Sequence, residues 1–134
     1  MAVPRTATYT NLVAAKKIVI GSKIVNQQNE DLGKIEDVVV DVEAGRIVYA
    51  VLSFGGFLGM GDKYFAIPWE AFRFAVTDKT AILNVDKKLL ENAPGFDKDN
   101  WPNLTDSSWG NQIFSHYGYK PYWEEASSTR RDRF

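Results

Sequence analysis

The sequence predicts a mainly β protein, a small barrel or sandwich of six short strands with a short helix and an aromatic-rich C-terminal extension. Two observations predict it. Runs rich in β-branched and aromatic residues alternate with Gly, Asn and Asp turn clusters over residues 17–85. Composition then shifts at Phe96, beyond which lie Trp101, Trp109 and Trp123, three of the four tryptophans.

The elements follow in order. Residues 1–16 are polar and aperiodic and are expected to form a flexible arm. "KIVIGSKIVN" reads as a first strand, bent or bulged at Gly21 and Ser22, and "NQQNEDLG" as a turn. In "KIEDVVVDVEAG", Val38, Val40 and Val42 share one face and Val39, Asp41 and Glu43 the other, which predicts a strand with one buried face. "RIVYAVLSF" is apolar on both faces, as a central strand is. "KYFAIPW" ends at Pro68, which cannot donate to a ladder, and "FRFAV", "TDKT" and "AILNV" read as strand, hairpin turn and strand.

Asp86 is the expected N-cap of a short helix, "KKLLENA", stopped by Pro94 and Gly95. In the extension, Asp106 is placed to cap a second helix that carries Trp109, Ile113 and Tyr117 at four-residue spacing and ends at Gly118. These readings divide the chain into the arm (1–16), a barrel domain (17–94), the aromatic extension (95–123), packed on the barrel or on a partner, and a charged tail (124–134) expected to be disordered.

The 134 residues suit one domain with an appendage. Cysteine is absent, so disulfides, thiolate metal sites and cysteine nucleophiles are excluded. A formal net charge of -1 argues against coating nucleic acid by charge alone. The N-terminal segment lacks the apolar core of a signal peptide, and the uncharged run 47–61 is too short and too glycine-rich to span a bilayer. A cytoplasmic protein with no membrane insertion is expected.

Four glycines, Gly55, Gly56, Gly59 and Gly61, raise the question of a phosphate loop. A P-loop places Lys and then Ser or Thr after its second motif glycine, whereas Asp62 and Lys63 stand there, and a strand-like segment follows instead of a helix. The loop therefore reads as a connection between strands in which glycine permits positive φ. Phe57, Leu58 and Met60 are apolar at its tip and need a covering surface, either the barrel end or a partner.

Asp97 and Asp99 match the start of a calcium loop, but Trp101 and Pro102 occupy positions that need Asp or Asn and Gly. His116, the single histidine, has no nucleophile elbow or metal-ligand spacing around it and reads as a surface residue of the second helix. No catalytic, cofactor or metal residues are assigned. Trp101, Trp109, Ile113, Tyr117, Tyr119, Tyr122 and Trp123 join Phe57, Leu58 and Met60 as candidate interface residues, because aromatic rings of this density must pack against something dry.

"GSKIVNQQNEDLGKIEDVVVDVEAGRIVYAVLSFGG", "KYFAIPWEAF" and "AILNVDKKLLENAP" together resemble a PRC-barrel domain. The signals are Asp31-Leu32-Gly33 read as a turn before "KIEDVVVD", the Gly45-Arg46-Ile47 hairpin, and Ile67-Pro68-Trp69, over Ile18 to Pro94. That family takes its name from the photosynthetic reaction-centre H subunit and includes the C-terminal domain of the ribosome maturation factor RimM. The resemblance implies a small, strongly bent six-stranded PRC-type β-barrel, used for protein–protein interaction or assembly and not for catalysis. In layout the chain is similar to stand-alone bacterial members in which an aromatic extension follows the barrel.

The function expected is a non-catalytic interaction module that self-associates as a homodimer or binds another protein. The alternative is an RNA- or ribosome-associated factor by analogy with RimM, using a local basic patch of Lys16, Lys17, Lys23 and Lys34. Small-ligand binding in a pocket under the glycine loop is a third, for which no acid–base pair speaks.

Overall fold

The computed structural model describes residues 12–54 and 63–124. Its strands are β1 (Lys23–Val25), β2 (Asp31–Asp41), β3 (Arg46–Phe54), β4 (Lys63–Pro68), β5 (Phe72–Ala75), β6 (Thr80–Leu83) and β7 (Phe96–Asp97). Two helices follow the first six strands, α1 (Lys87–Glu91) and α2 (Ser107–Tyr117). All seven strands form one sheet in the order β5-β6-β1-β2-β3-β4-β7. Every pairing is antiparallel except β1 with β6. The sheet bends into a PRC-type barrel that stays open between its edge strands β5 and β7. The six expected strands are all present, and the extension contributes β7 as a seventh.

β3 has the most apolar sequence and the most buried position. From Val48 to Phe54 every residue is buried, because β2 covers one edge, β4 the other, and side chains pack against both faces. Ile24, Leu32, Ile35, Leu52, Ile67, Leu83 and Leu90 fill the interior around it with no measurable exposure. The barrel is therefore a packed core rather than a vessel.

Three local expectations are corrected. Residues Ala15–Val19 form a single π-helical turn, not the start of a strand. The Ile20 and Ile18 amides donate to the Ala15 and Ala14 carbonyls, and the Ser22 hydroxyl donates to the Ile18 carbonyl. These local bonds, with Val19 buried in the core, override β-branched propensity, and Gly21 at φ 91° redirects the chain into β1.

Second, Asp31-Leu32-Gly33 is not a turn but the bulged start of β2. Ile24 pairs with Gly33 and Val25 with Asp31, so Leu32 is the extra residue and drops into the core. The turn lies just before it, where the Asn26 side chain accepts from the Gln28 and Glu30 amides and Asn29 takes φ 62°.

Third, Val38, Val40 and Val42 do not form a buried face. The register of β2 against β3 slips between Ile35 and Asp37 and again between Val39 and Val40. The first leaves Glu36 as an extra residue in β2 and shifts the facing of the side chains after it; the second leaves Val48 as the extra residue in β3, and Val42 lies past the end of β2 in the turn. Val38 and Val39 are consequently both half-buried, while Val40 is 49% and Val42 89% exposed.

The helices obey their sequence signals. The Asp86 carboxylate accepts from the Leu89 amide, and the Asp106 carboxylate accepts from the Ser108 amide. Gly118 closes α2 in the left-handed conformation at φ 81°.

Candidate functional site

α2 brings Ile113, Phe114 and Tyr117 inward, all of them buried, because residues three and four apart share one face. The receiving surface is Tyr49 on β3, whose ring meets Trp109 at 5.4 Å and Phe114 at 5.6 Å in edge-to-face geometry. Gly110 makes this approach possible. A β-carbon there would lie 2.7 Å from Trp123 and 2.9 Å from the Tyr49 hydroxyl. The aromatic extension thus packs in cis over the strand at the centre of the sheet.

The chain then returns toward the β2–β3 hairpin. Trp123 packs edge-on to Phe114 at 5.3 Å, and its indole N–H donates to Asn111. The Tyr122 hydroxyl donates to the Asp41 carboxylate, and the Arg46 guanidinium sits 4.2 Å above the Tyr122 ring. These contacts tie the end of the extension to the hairpin. Between the two runs a groove of about 590 Å³, bordered by Val40, Val42, Tyr49, Leu104 and Trp123. The two well-exposed valines lie along its hairpin side.

The remaining candidate residues lie elsewhere. Trp101 is 37% exposed at the β7 end, tilted against Phe96 and edge-on to Tyr64, with its indole N–H donating to the Lys98 carbonyl. Tyr119 is 38% exposed and borders a separate groove near Val25 and Arg73. Phe57, Leu58 and Met60 lie outside the described residues. His116 is half-buried rather than a free surface residue, with Nε2 3.0 Å from the Leu89 carbonyl, so it joins α2 to α1. That contact requires the proton on Nε2.

Two phenols are held well above their ordinary pKa. For Tyr49 the causes are desolvation and then the charge of Tyr122; for Tyr117 the cause is desolvation. The Tyr117 hydroxyl is buried with no hydrogen-bond partner among the described residues. Tyr117→Phe should therefore be neutral or stabilising by about 1 kcal/mol, read as an unchanged or raised Tm. The sign at high pH follows from the same shift. A phenol with a raised folded pKa contributes stability present below its ordinary value of 10.0 and lost as pH rises beyond it. The Phe variant should lose less stability in alkali than the parent.

Sequence reasoning placed the extension's rings but missed Asp41 and Arg46 as their anchors. Asp41 and Tyr122 are 81 positions apart, and no local pattern links them. Among the described residues, no group of three or more acidic or histidine side chains gathers as a cation site, and no helix is long and apolar enough to cross a membrane.

A family model described as the PRC-barrel domain matches residues 17–90. No curated protein matches the chain. Among solved structures, one described as a 16S ribosomal RNA processing protein, RimM, from Pseudomonas aeruginosa is similar at 14% identity and a TM-score of 0.39. The alignment covers 64% of this chain and 50% of that one, so the chain spans about half that protein's length.

Proposed function

The chain belongs to the PRC-barrel family, and on that basis we propose that it is a non-catalytic, cytoplasmic protein–protein interaction module that pairs with a second copy of itself. The observation that carries the reading is the exposed valine pair at the groove. Val42 is 89% and Val40 49% exposed on a bulged hairpin, and a mainly apolar groove, also bordered by Asp41, Glu43 and Asp106, lies beside them. A protruding apolar knob next to an apolar recess is self-complementary across a two-fold axis, since each copy offers both halves. The packed core supports a binding rather than a catalytic role, because the grooves bordered by described residues lie on the surface and not inside the barrel.

Deleting the aromatic extension would be a poor test, because it removes core residues along with any interface. Val42→Asp is cleaner. The residue makes little contact within its own chain, so Tm should stay within about 1 °C while the parent's dimer mass in light scattering falls to the monomer's. A parent chain that is monomeric at high concentration, or a variant that still pairs, would sink the reading.

A further inference from the structure

A second surface differs from the groove above in both charge and position. β1 and β2 pair with Lys23 directly opposite Lys34. Like charges facing each other across strands are destabilising, so this placement costs stability that a neutral pair would not. Two further lysines converge there. The Lys87 ammonium sits 5.5 Å over the Phe54 ring. Lys79 follows the turn into β6; its carbonyl accepts from the Lys23 amide, and its ammonium lies 3.5 Å from where a Gly21 side chain would begin.

Lys23, Lys34 and Lys87 line one open concavity of about 610 Å³ with Gly21 and Gly33 on its floor. Among the described residues one carboxylate, Asp31, lines it, and this carboxylate accepts from the Gly33 amide. Glu36 accepts from the Ser53 hydroxyl and stands 3.6 Å from the Lys34 ammonium, which steers that side chain.

We propose that this lysine-ringed concavity binds a compact polyanion of the di- or triphosphate class. The chemistry argues for phosphate over carboxylate. Lysine is a point charge suited to a multiply charged, roughly spherical group, and the described lining has no arginine fork for a planar carboxylate. The floor adds no free backbone donors, since the Gly21 amide donates to Ile35 and the Gly33 amide to Asp31. Among the described lining residues binding is therefore carried mainly by ammonium groups and is strongly salt-dependent. The shape argues for a compact anion rather than a polymer. The lysines line one recess rather than an extended track, and the Asp31 carboxylate among them disfavours a continuous phosphate backbone. The site is distinct from the valine groove, so it stands whether or not the protein self-associates.

The test is calorimetric titration of the full chain with sodium pyrophosphate at about 0.01 M and 0.15 M ionic strength, where charges are felt over roughly 30 and 8 Å. Saturable binding is expected at low salt, weakened at the higher. Lys34→Gln and Lys87→Gln should each weaken it by about three- to tenfold, while Lys120→Gln, in the extension, leaves it unchanged. All three side chains are exposed, and an unchanged Tm verifies that the variants fold. No saturable binding at low salt, or equal binding by the Lys34→Gln/Lys87→Gln double variant, overturns the proposal. So does binding of a homopolymeric RNA with none of pyrophosphate, which would indicate a polymer track instead.

Discussion

Gly33→Ala is expected to destabilise the protein by about 4 kcal/mol or more, a large part of a small domain's total stability. Two causes add. Gly33 has φ 100°, a region L-residues rarely adopt. A β-carbon would also fall 2.0 Å from the Ser53 carbonyl oxygen and 3.0 Å from its carbon. Both atoms are backbone of β3, the central strand, so relief requires moving the most buried element of the sheet. Gly45 provides the control. It has φ 69° at the hairpin, and nothing lies within 4 Å of its would-be β-carbon, so Gly45→Ala carries conformational strain alone, about 1–2 kcal/mol. Urea unfolding of the two variants separates the effects. If Gly33→Ala loses no more than Gly45→Ala, the close approach of β2 to β3 is not what demands glycine.

Phe114→Ala should cost about 3–5 kcal/mol, the range for emptying a buried aromatic site. The ring is 2% exposed and sits between Tyr49 on β3 and Trp123 at the end of the extension. Its loss removes edge-to-face partners on both sides and loosens the strap over the sheet. Trp101→Ala is the comparison, because that ring is 37% exposed at the β7 end and its removal should cost far less. The same reasoning predicts that truncation after residue 99 abolishes cooperative unfolding instead of releasing a stable barrel. The truncation takes away Ile113, Phe114 and Tyr117, which belong to the hydrophobic core. A truncated chain that melts cooperatively near the parent Tm would show that the barrel folds without its extension.

Both predictions rest on contacts between distant parts of the chain, and that is where the sequence was least legible. α2 was fully legible: Asp106 caps it, Trp109, Ile113 and Tyr117 mark its inner side, and Gly118 ends it. Each of these signals acts within a few residues of itself. β3 was legible as the central strand because nine consecutive residues admit no polar face. The valine run of β2 was misleading for the opposite reason. Period-2 alternation assumes constant register, and the two slips against β3 are decided by the partner strand.

The candidate sites divide in the same way. The sequence showed an aromatic extension in need of a dry surface and several lysines near the start of the barrel. It could not show that Tyr49 receives the rings or that Asp41 and Arg46 anchor Tyr122. Nor could it show that Val40 and Val42 are left outside, or that Lys23, Lys34 and Lys87 converge on one recess. By itself the sequence determined the six main strand segments, the two capped α-helices and that β3 is central, because those are set by short-range sterics and side-chain polarity. Only the tertiary structure decided the bulges, the parallel β1–β6 pairing, the seventh strand and both surface grooves. Each depends on backbone groups far apart in sequence finding hydrogen-bond partners together, a choice no single segment encodes.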